Sequence, residues 1–180
     1  MKKYIIALMA LVSSSVYAGD GFFIGAGAAC QIVPAVDGTR YSAAPAVELG
    51  YSGYYFDINA SGSINGEAMV SLDINSRFPL AENADLLFGG GMGAAYREMQ
   101  FIEDDVLYET SGFIGWPHAN VGVEFAVSDN LGVRLVGALG YARCNYVNDN
   151  SSYDYYYYDR YDVGDWRFAA QIRAMVVWTF

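Results

Sequence analysis

Eight stretches of this chain alternate apolar residues with small or polar ones, and a period of two specifies strands rather than helices. In the first, Phe22, Ile24, Ala26, Ala28 and Ile32 share one face, and Phe23, Gly25, Gly27, Ala29 and Gln31 share the other. The second sets Ala43, Pro45, Val47, Leu49 and Tyr51 against Ser42, Ala44, Ala46 and Glu48. The third sets Tyr54, Phe56, Ile58 and Ala60 against Tyr55, Asp57, Asn59 and Ser61. The fourth sets Val70, Leu72, Ile74 and Phe78 against Ser71, Asp73, Asn75 and Arg77. The fifth sets Leu86, Phe88, Met92 and Tyr96 against Gly89, Gly91, Gly93 and Arg97. In the sixth, Val121, Val123 and Phe125 oppose His118, Asn120 and Glu124. In the seventh, Leu131, Val133, Leu135 and Tyr141 oppose Arg134, Ala138 and Gly140. In the eighth, Trp166, Phe168, Ile172, Val176, Trp178 and Phe180 oppose Arg167, Gln171, Arg173 and Thr179.

Composition decides how such strands pack. The 180 residues are 54% apolar and only 17% charged, yet the net charge is −10. That is too oily for an ordinary soluble domain, where about a quarter of residues are charged. After residue 18 no apolar run reaches the ~18 residues of a membrane helix. A soluble sandwich also alternates, but it buries its apolar face. Here the polar face is glycine-rich with isolated charges, which suits a narrow filled lumen, and the apolar face suits lipid. The expected fold is therefore all-β: an eight-stranded antiparallel transmembrane barrel whose backbone groups are all satisfied by closure. Gly89, Gly91 and Gly93 are expected to make room for long arginines opposite.

The start of the chain is an address. Lys2 and Lys3 precede the apolar run Tyr4–Val12, and Val16-Tyr17-Ala18 fits a signal-peptidase site with cleavage after Ala18. Nine apolar residues are too few for a transmembrane anchor of ~20. The expected division is a signal peptide at 1–18 and a barrel domain at 19–180, exported to the cell outer membrane. Both lysines fall in the signal. The exported chain thus offers no basic patch to nucleic acid.

Turn signals order the strands. Short connections are expected at Ser52-Gly53, Pro79–Ala84 and Ser128–Asn130. Alternating with them are Pro34–Tyr41, the hairpin signal Asn65-Gly66, Glu98–Ser111 and Asn145–Asp165. Short turns belong on the periplasmic side and long loops outside, so both termini are expected in the periplasm. Pro117 falls near the outer rim; Pro45 lies inside a strand and predicts a bulge or fraying there.

Several residues are candidates for chemistry. Glu48, Asp57, Asp73 and Glu124 share the lumen face with Arg77, Arg97, Arg134, Arg167, Arg173 and His118. Charges in so narrow an interior must pair, which gives a structural network as the main reading and a narrow channel for small solutes or ions as the alternative. His118 is the only histidine and has no serine beside it, which argues against a hydrolase or acyltransferase; a lipid-modifying enzyme is the third reading. One histidine and two separated cysteines argue against zinc, and no cofactor is expected. Cys30 has the lipid-facing phase and Cys144 the lumen phase, which argues against a bridge between them. The last loop carries Tyr146, Tyr153, Asp154, Tyr155, Tyr156, Tyr157, Tyr158, Asp159 and Tyr161, an acidic, tyrosine-rich run. It reads equally as a contact surface for a host or cell-surface ligand, or for lipopolysaccharide, and as solvated covering.

The chain resembles the porin-like outer-membrane β-barrel family, similar in architecture to the membrane domain of outer-membrane protein A and to the OmpX/Ail group. The C-terminal stretch Ala174–Phe180, alternating and ending in an aromatic residue, carries that resemblance most specifically. So does Phe78-Pro79-Leu80-Ala81-Glu82-Asn83 ahead of a glycine-rich strand. The resemblance implies that Trp178 and Phe180 form a signal read by the barrel-assembly machinery. It also implies a non-catalytic structural or surface-interaction role.

Overall fold

The computed structural model describes the backbone of residues 21–35, 38–64, 68–103, 106–147 and 166–180. Within these, side chains are described except at 33–35, 38–40, 97–103, 106–113 and 144–147. Eight antiparallel strands follow in chain order: β1 Gly21–Ala35, β2 Gly38–Ser52, β3 Phe56–Ile64, β4 Ala68–Ala81, β5 Ala84–Glu103, β6 Val106–Ala126, β7 Leu131–Val147 and β8 Trp166–Thr179. Each pairs with the next, and β8 returns to β1 from Phe23↔Thr179 to Ile32↔Ala170, so the barrel is closed.

Alternation sets the two faces. Along β4, exposed and buried residues alternate without a break from Ala68 to Arg77. Val47, Leu72, Phe88, Met92, Leu139 and Ile172 are each more than half exposed on the outer wall, whereas Glu48, Asp57, Asp73, Arg134 and Arg173 are buried. A water-soluble sandwich would have the reverse. Aromatic side chains gather toward the two ends of the wall. Tyr51, Tyr54, Phe56, Phe78, Phe125 and Trp178 lie toward the end carrying Gly21 and Phe180; Tyr96, Tyr141, Trp166 and Phe168 lie toward the other.

Gly21 and Phe180 share one rim with three short turns. The first is longer than the expected Ser52-Gly53 pair. Ser52 ends β2, and residues 53–55 make the turn, with the Gly53 amide donating to the Phe56 carbonyl at 2.8 Å. Tyr54, expected to open the third strand, therefore lies in the turn. The second turn is shorter than expected. β4 runs through Pro79 to Ala81, and only Glu82 and Asn83 separate it from β5. A register shift between Pro79 and Ala81 absorbs the residue that cannot donate. The third spans Val127–Asn130.

At the opposite rim the strands outrun the alternation. β1 reaches Ala35 and β2 begins at Gly38, well inside the expected loop Pro34–Tyr41. β5 reaches Glu103 and β6 begins at Val106, inside the expected loop Glu98–Ser111. A backbone ladder needs no apolar face once it leaves lipid, so pairing continues where the sequence pattern stops. Asn65-Gly66 and residues 148–165 lie outside the described residues.

The two prolines behave differently. Of the expected bulge or fraying at Pro45, the bulge is absent, because pairing of β2 with β1 continues through Ala28↔Pro45 without a shift; on the other side pairing of β2 with β3 begins only at Ala46↔Ser63. Pro45 thus lies just beyond the rung that would need its N–H. Pro117 interrupts its ladder: β6–β7 rungs are present at Gly115↔Arg143 and His118↔Gly140, with none between.

Candidate functional site

The lumen holds the polar side chains, and the strands deliver them at every second position. Arg134 on β7 stands at its centre, fully buried. Its Nε donates to Glu124 Oε2 at 2.8 Å, its Nη1 to Glu48 Oε1 at 2.5 Å and its Nη2 to Asp57 Oδ2 at 2.8 Å. Nη2 also donates to Glu124. The Phe23 ring covers the guanidinium at 4.4 Å. One planar fork thereby meets carboxylates from three strands, a task that lysine's compact ammonium performs poorly.

Two extensions leave this centre. Toward the rim of the short turns, Arg77 donates to Asp85 at 2.5 Å and to Glu124 at 3.3 Å. Sideways, Asp57 accepts from Ser52 at 3.0 Å, Asn59 at 2.7 Å and Asn75 at 3.3 Å, and Asn120 donates to Asn75 at 3.3 Å.

A second cluster forms around Asp73. Arg173 Nη2 donates to its Oδ2 at 2.5 Å, and His118 Nε2 lies 2.7 Å from its Oδ1. Arg173 Nη1 also donates to Ser61 and, at 3.2 Å, to Ser71. His118 Nδ1 is 3.2 Å from the Trp116 carbonyl, and its ring stacks on the Trp116 indole with centroids 4.2 Å apart. Both ring nitrogens thus face acceptors, and a neutral imidazole with a single N–H satisfies one of them at a time.

Beyond this cluster lies an apolar layer of Trp116, Met69, Ile114, Ala95, Ala138 and Ala142. The glycines of β5 make it possible. A Cβ at Gly93 would coincide with the Trp116 indole, and one at Gly91 would collide with Asp73 and His118. The room these glycines leave, with Gly89 beside Asn75, is therefore filled by a tryptophan, a histidine, an aspartate and an asparagine, not by the expected arginines.

The other sequence candidates fall elsewhere. Arg167 does not join the buried charges; it is exposed, as the second residue of β8, because its inward phase lies at the open end of the barrel. Arg97 pairs through its backbone with Gly112, and its side chain is outside the described residues. Tyr146 lies at the end of β7, and the tyrosines and aspartates from Tyr153 to Tyr161 lie outside the described residues, as does Ala18. Trp178 and Phe180 are half and three-quarters exposed on the outer wall, and the Phe180 amide donates to the Phe22 carbonyl at 2.9 Å. Cys30 is exposed and unbridged. It is level with Gly137 on β7 through Ile172, seven residues from Cys144 along that strand, which is beyond disulfide reach.

Sequence reasoning missed Asp85, Ser61, Ser71, Asn59, Asn75 and Trp116 as members of the site. All have the inward phase of their strands, so parity alone would have found them. Asp85 was lost because the fifth segment was begun at Leu86, two residues after β5 starts.

Chemically, the buried charges are paired with one another, while Glu48 Oε2, Arg173 Nε and Trp116 Nε1 are left without a hydrogen-bond partner. Each arginine of the network is turned to carboxylates or hydroxyls. Among the described residues, His118 meets a carboxylate with no hydroxyl or thiol nucleophile against its ring. Among the described residues, no three His, Cys, Asp or Glu side chains converge as a metal site.

No family model matches the sequence, and no curated protein sequence does. Solved structures do match. Neisserial surface protein A (NspA) is 14% identical, with a TM-score of 0.52 over 89% of this chain and 97% of that one. Ail, the attachment invasion locus protein of Yersinia pestis, solved with the heparin analogue sucrose octasulfate, is 12% identical, with a TM-score of 0.50 over 90% of this chain and 100% of that one. At this identity the likeness concerns the fold: the chain has the eight-stranded antiparallel barrel architecture of small outer-membrane proteins.

Proposed function

We propose that this protein is a non-catalytic barrel of the outer membrane whose role is surface interaction, borne by the chain beyond the outer rim. The observation that carries the reading is the filled lumen. Its charges are committed to one another, and an apolar cluster centred on Trp116 fills the side of it formed by β4 to β8. With the interior so occupied and the wall apolar, recognition falls to the segments beyond the rim. These are the β5–β6 hairpin, which continues seven residues past Tyr96, the partner of Ala68 at the start of β4, and residues 148–165 with their tyrosines and aspartates.

The same reading takes residues 1–18 as an export signal cleaved after Ala18. It takes Trp178 and Phe180 as the mark used by the barrel-assembly machinery, and outer-membrane lipid, including lipopolysaccharide, as the surroundings. Tyrosine supplies apolar contact and hydroxyl hydrogen bonds, and the aspartates favour a basic partner or a divalent bridge. A channel for small ions is the second reading, favoured by the polar column that begins at Asp85 near the rim; Trp116 and its neighbours stand against it.

The test is binding to host cells or matrix by bacteria displaying the intact protein or a version with residues 146–162 replaced by a short Gly/Ser turn, at equal surface density. The trimmed barrel should still assemble and should lose binding, with the loss mimicked by added salt. Equal binding by both would remove the interaction reading.

A further inference from the structure

Among the described strand residues, one charged side chain points away from the lumen. Arg143 on β7 is exposed on the outer wall, in the phase of Leu135, Leu139 and Tyr141. Every other described charge on a strand faces inward. No described side chain pairs with Arg143.

Its height is informative. Arg143 lies twelve residues above Leu131, the first residue of β7. About 9–11 tilted strand residues cross the hydrocarbon core, so the guanidinium emerges at the level of lipid headgroups. The neighbours agree with that depth. Trp166 is its register partner on β8, and Tyr141 and Phe168 lie one outward step below, ring against ring at 6.4 Å. All three are more than half exposed, as interfacial aromatic anchors are. On the other flank its partner is Gly115, where a Cβ would meet nothing within 4 Å. Arg143 thus has Trp166 as its register partner on one flank and the bare backbone of Gly115 on the other.

We infer that Arg143, with the notch at Gly115 and the aromatic wall of Trp166, is a docking point for the phosphate of a phosphorylated lipid in the surrounding leaflet. A fixed cation, alone among the described strand charges in facing outward, is complementary to an anion, and at that depth the anion available is a headgroup. The guanidinium fork matches two phosphate oxygens, while the bare glycine lets the headgroup approach the strand. An acyl chain then lies against the wall below. The inference rests on the reading of that wall as lipid-facing and does not depend on any role of the loops.

The test uses the full barrel in neutral detergent micelles, titrated with diphosphorylated lipid A and followed by native mass spectrometry. Parallel arms use lipid A stripped of phosphate, a phosphatidylglycerol of similar chain length, and inorganic phosphate alone. The wild-type protein should retain the phosphorylated lipids. Arg143→Gln should weaken retention about tenfold, the size expected for loss of one charged hydrogen-bonding group; Arg143→Lys should lose less, and Arg167→Gln should lose nothing. Arg143 is exposed, so folding of the variant is checked independently by its circular dichroism. Equal retention by Arg143→Gln and wild type, equal retention of the phosphate-free lipid, or an equal loss in Arg167→Gln would overturn the inference. Binding of inorganic phosphate as tight as that of the lipids would replace the lipid with a free anion. A barrel that folds in micelles and fails these arms leaves the membrane reading standing.

Discussion

Replacing Arg134 by Ala should be the most damaging single change in the lumen. The guanidinium satisfies Glu48, Asp57 and Glu124, and no other cation reaches Glu48 or Asp57 within ion-pair distance among the described residues. Glu124 would keep Arg77 at 3.3 Å, and Asp57 would keep Ser52, Asn59 and Asn75. Glu48 would keep nothing, because its Oε2 already lacks a partner. Losing one member of a buried ionic cluster costs about 3–5 kcal/mol. The residual donors on Asp57 and Glu124 hold the expectation within that range rather than at a multiple of it. The assay is urea unfolding in lipid vesicles, followed by tryptophan fluorescence. Exchanging the whole cluster at once, Arg134→Met with Glu48→Gln, Asp57→Asn and Glu124→Gln, should recover part of the loss, since no charge is then stranded. A loss below about 1 kcal/mol for Arg134→Ala, the value of an exposed pair, would mean that water reaches these carboxylates and would refute the sealed-lumen argument.

Deleting Phe180 removes one backbone rung to Phe22, worth about 1 kcal/mol, so folding in micelles should survive; outer-membrane levels in cells should nevertheless fall sharply, and unchanged levels would sink the assembly-signal reading. Gly93→Val should force the Trp116 indole out of its place and cost about 1–3 kcal/mol or more by overpacking, read by the same unfolding assay; a stable variant would mean the indole has another seat. Gly115→Val, where a side chain meets open space, should by contrast change stability by less than about 0.5 kcal/mol.

Much of the architecture was legible because a closed barrel leaves a period-two imprint. Leu72 and Asp73 are neighbours in sequence and on opposite faces of the wall, and each residue type states its face. Strand ends were less legible. The alternation around Tyr96 ends where lipid ends, but the ladder continues to Glu103 because backbone pairing needs no apolar face. Partnership across the lumen was the least legible. That Trp116 fills the space over Gly93 follows from their facing places in the β5–β6 register, which local sequence does not encode. Arg167 shows the remaining limit: parity gives its phase correctly, but its height, two residues into β8, decides that it is exposed rather than buried.

The central claim is that the barrel is sealed by its own side chains, so that its chemistry lies beyond the rim. Steady conductance of the purified protein in a planar lipid bilayer tests this directly. With Arg134, Arg173 and Trp116 in place, the membrane should show little or no steady current. A stable conductance comparable to that of a general porin would contradict the account and make the lumen, rather than the outer surface, the working part of the molecule.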